Sequence, residues 1–230
     1  MKTIGLIGGL TWVSSQDYYR LLNQMVNERL GGVEAAKLIL YSVNFGEIKK
    51  LTEAGDWTGI SRIICDVARK LEKAGADCLL LGANTMHKIA PEVQAAVNIP
   101  LIHIAHVTAR EIASVGLSKV ALLGTRYTML LDFYKNALKE EGIETIIPEP
   151  NQIDFINNAI YTELSVNQFL PATKVGFLES IQDLVNKGAQ GVILGCTEIP
   201  LLIKQADVSV PVFDTMALHA KAAVEFALGE

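Results

Sequence analysis

The chain has 230 residues and a formal net charge of −5, with 50% hydrophobic and 20% charged residues. The negative charge argues against nucleic-acid binding, and no apolar run reaches the roughly 18 residues needed to span a bilayer. Three cysteines without metal-ligand spacing exclude a disulfide framework and fit the reducing cytoplasm. We expect no signal peptide, because the first residues run directly into a strand pattern.

Short apolar runs alternate with helical spacing along the whole chain. Apolar runs predict strands, and apolar residues three and four positions apart predict helices. This alternation is typical of an α/β fold whose parallel sheets are covered on both faces. The predicted strands are residues 3–8, 37–41, 78–82, 101–102, 120–124, 144–147, 192–195 and 212–213. The predicted helices are residues 15–29, 58–74, 107–115, 129–141, 175–187 and 216–227.

The two halves of the chain resemble each other. Gly8 and Gly82 end two matching apolar runs 74 residues apart (82 − 8), and Gly124 and Gly195 end two more 71 residues apart (195 − 124). We therefore predict two pseudo-symmetric, Rossmann-like parallel-sheet domains that face each other across a cleft. A single continuous doubly wound sheet is the alternative. The predicted domains are residues 1–103 with 213–230, and residues 104–212.

The segment 191–200, GVILGCTEIP, reads as a buried strand that delivers Cys196 to the first turn of a helix. The positive end of a helix favours thiolate, so we expect a lowered pKa for this thiol. Free cysteine is often only a small buried hydrophobe, and we interpret Cys65 and Cys78 in that way. Cys196 differs because it ends a strand beside polar residues, which favours a chemical role. Ala83 occupies the matching position in the first half.

Four loops follow predicted strand ends, at residues 8–15, 82–87, 124–128 and 195–198. Ligands of parallel sheets bind beyond the carboxyl ends of the strands, so we expect these loops to meet at one site. Helix N-termini with Asn and Thr side chains suit a small carboxylate. Any one such residue alone is better explained as a helix cap, but four such loops at pseudo-symmetric positions favour the carboxylate. The candidate substrate-binding residues are Leu10, Trp12, Thr52, Asn84, Thr85, Met86, Thr125, Thr128 and Thr197.

Signatures of cofactors and metals are absent from the sequence. Gly8-Gly9 lacks the dinucleotide pattern G-x-G-x-x-G, and no phosphate-binding P-loop pattern is present. The four histidines form no metal motif. We therefore expect neither a nucleotide cofactor nor a metal, and no nucleic-acid or membrane partner. His87 lies either near the site or in a purely structural position.

Taken together, several segments resemble the aspartate/glutamate racemase family. They are residues 1–12, Ser14, and residues 84–87, 123–129, 195–199 and 211–215. The resemblance implies a cofactor-independent racemase, usually a homodimer, that takes a small amino acid or dicarboxylate. It also implies that two residues, typically both cysteines, flank the substrate α-carbon: one removes a proton and the other returns one to the opposite face. Cys196 matches one of the two.

Ala83 matches the other catalytic position, where the family has cysteine or sometimes threonine. Alanine carries no proton, so two-base racemisation by Ala83 and Cys196 is impossible as written. Three explanations stay open: an engineered inactivating substitution, a stand-in such as Thr85, His87 or water, or one-sided chemistry. The alternative functions are a one-cysteine decarboxylase or isomerase of small dicarboxylates, and a non-catalytic amino-acid-binding protein. Arg126 is the only cation in the four loops, so an acidic substrate is implied by the resemblance alone.

Overall fold

The computed structural model of the protein describes residues 1–230. Two separate parallel sheets confirm the predicted α/β fold. The strands are β1 (Ile4–Gly8), β2 (Leu38–Ser42), β3 (Cys78–Leu81), β4 (Lys119–Gly124), β5 (Glu144–Ile146), β6 (Val192–Gly195) and β7 (Val212–Asp214). The helices are α1 (Trp12–Leu30), α2 (Phe45–Glu53), α3 (Trp57–Lys73), α4 (Ala90–Ala95), α5 (Ile104–Ser114), α6 (Arg126–Leu130), α7 (Asp132–Glu140), α8 (Pro150–Thr162), α9 (Pro171–Asn186), α10 (Ile199–Leu202) and α11 (Thr215–Leu228). Short 3-10 helices cover Thr85–Ile89, Leu164–Val166 and Gln205–Asp207.

The two sheets repeat one strand order. The first runs β2-β1-β3 and the second runs β5-β4-β6-β7. The predicted strand at residues 101–102 forms as a single parallel bridge between Leu79 and Leu101, which takes the place of β7 in the first sheet. The match extends to individual bonds, because the Leu79 N–H donates to Pro100 O and the Val192 N–H donates to Pro211 O, both at 2.9 Å. The alternative of one continuous sheet is therefore wrong.

The chain divides into two compact units, Met1–His103 with His219–Glu230, and Ile104–Leu218. The chain thus re-enters the first unit at His219, whereas the boundary predicted from the sequence is residue 213. The cause lies in the second sheet, where β7 pairs with β6. In addition, the Thr215 Oγ1 hydroxyl donates to Leu194 O at 2.9 Å, which ties the start of α11 to that sheet.

The central strands are buried along their whole length, as in parallel sheets covered on both faces. Each unit has its own apolar core. The predicted helix at residues 129–141 is in fact two helices, α6 and α7, because Leu131 between them has an extended backbone. Four helices, α2, α4, α8 and α10, lie outside the predicted helical ranges. No helix has both the length and the apolar character required to cross a membrane.

Candidate functional site

In the first unit, the loops after β1 and β3 lie side by side. The Gly82 N–H donates to Ile7 O at 2.9 Å, which extends the strand pairing into the second loop. Thr11 caps α1, since its Oγ1 accepts the Ser14 N–H at 3.1 Å. The Ser14 hydroxyl in turn lies 3.4 Å from Gly82 O. Two of the four predicted loops are therefore brought into direct contact.

The binding candidates of the first unit differ in what they present. Leu10 and Met86 pack into the apolar core. Thr52 is buried in α2, where its hydroxyl donates to Ile48 O at 2.8 Å. Trp12, by contrast, is 55% exposed at the start of α1. The remaining two candidates, Asn84 and Thr85, are buried where the 3-10 helix after β3 begins.

His87 supports the loop that carries Ala83. Its Nδ1 lies 3.0 Å from Ala83 O, and the ring is 1% exposed. Burial, with a smaller contribution from His219, lowers the pKa of His87 to about 3. The neutral ring therefore donates its Nδ1–H to the Ala83 carbonyl. A buried imidazole already engaged with the backbone is poorly suited to replace the acid/base missing at position 83.

A second buried histidine lies beside the first. The ring of His219 is 5.5 Å from that of His87, and that of His103 is 4.7 Å from His87. His219 Nε2 lies 2.7 Å from Ile102 O, which can only accept, so Nε2 carries the proton. Its Nδ1 then accepts the Tyr18 hydroxyl at 2.8 Å. Burial lowers the pKa of His219 to about 4, so this ring is also neutral near pH 7.

In the second unit, the loops after β4 and β6 meet in the same way. Gly124 and Gly195 are register partners on adjacent strands. A Cβ on either glycine would lie about 3 Å from the Thr128 side chain, at 3.0 and 3.1 Å respectively. Thr125 caps α6 by accepting the Thr128 N–H at 3.3 Å, and the two hydroxyls are 3.2 Å apart. The second pair of predicted loops is therefore also adjacent.

Cys196 lies directly after β6 and is hydrogen-bonded to the buried side chain of Glu198. Its Sγ donates to Glu198 Oε2 at 3.0 Å, and the Thr197 hydroxyl donates to the same oxygen at 2.9 Å. Cys196 is 7% exposed and Glu198 is 2% exposed. Thr197 is among the residues predicted from the sequence and Glu198 is not, although a carboxylate two residues after the cysteine is a signal that the sequence contains.

The expected low pKa of Cys196 is wrong. Burial raises the pKa of this thiol well above its usual value, and the negative charge of Glu198 raises it further. The backbone N–H groups of Glu198 and Ile199 lower the pKa, as a helix start should, but this effect is smaller. The helix that follows, α10, has only four residues and begins three positions after the thiol.

Comparison with known proteins identifies the family. The sequence profile of Asp/Glu/hydantoin racemases matches residues 7–223. The chain belongs to the Asp/Glu/hydantoin racemase family. It is 28% identical over 177 residues to the broad specificity amino-acid racemase RacX of Bacillus subtilis (strain 168), covering 74% of this chain and 73% of that protein.

Two solved structures are similar over the full length of this racemase-family chain. One is a crystal structure of a candidate Asp/Glu racemase from Yersinia pestis, with 45% identity and a TM-score of 0.92, covering 99% of this chain and 100% of the other. The second is an aspartate racemase homologue from Pyrococcus horikoshii OT3, with 39% identity and a TM-score of 0.86, at the same coverage.

Arg126, the cation of the four loops in this racemase-family chain, is already engaged. Its Nη2 lies 2.6 Å from Asp154 Oδ1 in α8, and its backbone N–H donates to Asn157 Oδ1 at 2.9 Å. Nothing in this contact favours an acidic substrate over any other amino acid. No group of three or more His, Cys, Asp or Glu side chains is arranged to hold a metal ion.

Proposed function

We propose that this chain is an amino acid racemase of the aspartate/glutamate type that transfers a proton at the substrate Cα without a cofactor. Cys196 is the acid/base residue. The observation that carries the proposal is the Cys196 thiol, held 3.0 Å from a buried carboxylate at the carboxyl end of a central strand. The membership of the racemase family supports the reaction type.

The chemistry explains what the surrounding loops supply. An amino acid Cα proton is weakly acidic, and without an electron-sink cofactor the developing carbanion needs electrostatic stabilisation. Backbone N–H groups and the hydroxyls of Thr125, Thr128 and Thr197 are suitable donors for the substrate carboxylate. Asn84 and Thr85 offer the same groups in the first unit.

Ala83 limits the reaction that this sequence performs. Inversion needs a proton donor and a proton acceptor on opposite faces of Cα, and the Ala83 methyl group provides neither. We therefore propose that the chain carries out the Cys196 half of the reaction. One enantiomer then exchanges its Cα proton with solvent and returns with its configuration unchanged.

The substrate of the proposed reaction is an amino acid. One relative is named as a broad-specificity amino-acid racemase and another as an aspartate racemase homologue, so a test needs acidic and neutral amino acids alike. A homodimer in the cytoplasm completes the proposal. Size-exclusion chromatography with light scattering checks the dimer.

The deciding experiment is Cα deuterium exchange in D2O, followed by NMR for L- and D-amino acids separately. We expect the unaltered protein to exchange one enantiomer without inversion, Ala83→Cys to invert it, and Cys196→Ser to do neither. The proposal fails if no enantiomer exchanges with either the unaltered protein or Ala83→Cys. If ligands stabilise the unaltered protein and Cys196→Ser equally, with no exchange in any form, the chain is a binding protein instead.

The Ala83 position also favours a second candidate, a cofactor-free decarboxylase of small dicarboxylates. A methyl group there leaves room for a departing carboxylate, and a single thiol is enough to protonate the enediolate that remains. Release of CO2 from disubstituted malonates, abolished by Cys196→Ser, supports this candidate. Amino acid exchange without any CO2 release excludes it.

A further inference from the structure

The Cys196–Glu198 contact presents a chemical problem for a racemase. A thiol whose pKa is raised by burial and by an adjacent carboxylate holds very little thiolate near neutral pH. An unassisted Cys196 would therefore be a poor base for a Cα proton. Yet the Glu198 carboxylate, which raises the pKa of the thiol, lies within hydrogen-bond distance of the Cys196 sulfur.

We propose that Glu198 is the positioning residue of the site and takes the Sγ proton of Cys196 as the sulfur removes the Cα proton. The inference rests on the proposed function, because it gives Cys196 its partner. The protons balance within the pair: the S–H proton moves to Glu198 Oε2, and the Cα proton replaces it on Sγ. The electron pair of the broken C–H bond stays on the substrate as the carbanion.

The geometry fits a pair that holds one proton at rest. Sγ and Oε2 are 3.0 Å apart, so a thiolate beside a carboxylate would place two negative charges in contact in a buried site. A single proton shared by the pair avoids this cost, and in the structure Sγ is the donor and Oε2 the acceptor. This singly protonated pair also accepts one further proton when the substrate is deprotonated.

Thr197 fixes the carboxylate for this role. Its hydroxyl donates to Glu198 Oε2 at 2.9 Å, so the oxygen that faces the sulfur is held from a second side. Both donors come from consecutive residues of one loop, and Glu198 is buried. Such a carboxylate has one defined position, as a proton acceptor in catalysis requires.

The first test uses the unaltered protein. The rate of Cys196 alkylation by iodoacetamide, read by mass spectrometry, and the rate of Cα exchange are both measured from about pH 6 to about pH 10. Alkylation reports free thiolate. We expect exchange to reach its plateau at least about one pH unit below the midpoint of alkylation. If the two rates rise together with one midpoint, free thiolate is the base and the inference is overturned.

The second test compares Glu198→Gln with Glu179→Gln, which removes an exposed carboxylate from α9 of the same unit. Glutamine keeps the shape and an acceptor for Thr197, but it cannot take a proton and has no charge. At about pH 8 we expect Glu198→Gln to alkylate Cys196 at least about tenfold faster, because the charge that raises the thiol pKa is gone. We expect its Cα exchange to be at least about 100-fold slower.

Faster alkylation of Cys196 together with slower Cα exchange distinguishes a proton-accepting role of Glu198 from a purely structural one. Damage to the fold would expose Cys65 and Cys78 as well, and their labelling in the same spectra reveals it. The inference is overturned if Glu198→Gln exchanges like Glu179→Gln, or if its Cys196 alkylates no faster. If neither the unaltered protein nor Ala83→Cys exchanges any amino acid, the proposed function fails, and the alkylation rates still decide whether Glu198 keeps the proton on the Cys196 sulfur.

Discussion

At the scale of single residues, the loops of the second unit leave little room for a side chain at Gly124 or Gly195. A Cβ on Gly195 would lie 2.6 Å from Leu123 O, and one on Gly124 would lie 2.6 Å from Gly195 O. Both contacts are with backbone carbonyls in paired strands, which cannot turn aside as a flexible side chain can. The two glycines therefore let β4 and β6 end close together next to Cys196.

Gly195→Ala is expected to lower the free energy of unfolding by about 1–3 kcal/mol, the usual cost of overpacking. Gly46→Ala is the matched control, because in α2 the nearest atom to an added Cβ is 3.4 Å away. That substitution is expected to be neutral, or stabilising by up to about 1 kcal/mol. The urea concentrations at the midpoints of unfolding test both predictions. Equal midpoints for the two variants would contradict the predicted clash at Gly195.

The three thiols are expected to react slowly in the folded protein at about pH 7. Burial raises the pKa of Cys65, and it raises that of Cys78 to about 12. Cys196 is shielded by burial and by Glu198. Alkylation of all three should be far slower than in urea-unfolded protein, with mass spectrometry as the measurement. Fast labelling of Cys196 alone would show that its thiolate is present after all.

At the scale of elements, each unit contains a buried tyrosine in the helical segment after its central strand, on α1 in the first unit and on α7 in the second. Tyr18 and Tyr134 each lie ten residues after the glycine that ends that strand (18 − 8 and 134 − 124). Tyr18 donates to His219 Nδ1 at 2.8 Å, whereas Tyr134 donates to Thr108 Oγ1 at 3.2 Å. The duplicated fold thus keeps the tyrosine and changes its partner.

The change of partner predicts unequal costs for the same substitution. Tyr18→Phe leaves the buried Nδ1 of His219 without this donor, which is expected to cost about 1–3 kcal/mol. Tyr134→Phe leaves Thr108 its bond to Ile104 O at 2.8 Å, so a cost of about 1 kcal/mol or less is expected. Urea unfolding of the two variants measures both values. A larger loss for Tyr134→Phe would contradict the assignment of the His219 tautomer.

For the whole molecule, the neutral histidines make the stability of the first unit depend on pH. The folded pKa values of His87 and His219 are about 3 and about 4, below the ordinary value of 6.5. The unfolded chain therefore binds protons that the folded chain does not. This stability is fully present above pH 6.5 and is lost as the pH falls. Between pH 6.5 and pH 5, the loss is about 2 kcal/mol for each histidine.

Fluorescence is the suitable measurement, because both tryptophans, Trp12 and Trp57, belong to the first unit. The urea concentration at the midpoint of unfolding should decrease as the pH is lowered from about 7.5 to about 5. In His219→Gln the free energy of unfolding should change less steeply with pH, because unfolding takes up one proton fewer. The control is His106→Gln, because His106 belongs to the second unit, whereas the tryptophan fluorescence reports the first. A slope that is the same in His219→Gln would contradict the prediction.

Local sequence was enough for much of the fold, and its failures have identifiable causes. The central strands are continuous apolar runs, so they were predicted to within a residue or two. Helix α8 was missed although it begins at Pro150 and the Glu149 N–H donates to Gln152 Oε1 at 3.2 Å, a sequence signal of a helix start. The split between α6 and α7 was less visible, because Leu131 between them is an ordinary residue with an extended backbone and no sequence signal of a break.

The sequence by itself determined the α/β class, the duplicated loops, the matching positions of Ala83 and Cys196, and the resemblance to a racemase family that the comparisons confirm. Those conclusions depend on periodicity and on residue order, which are local. Only the tertiary structure decided that the Cys196 thiol is buried against Glu198 and that its pKa therefore rises. It likewise decided that His87 bonds to the Ala83 carbonyl and that Arg126 pairs with Asp154. Desolvation and pairing depend on what surrounds a group in space, and strand and helix patterns carry no record of those surroundings.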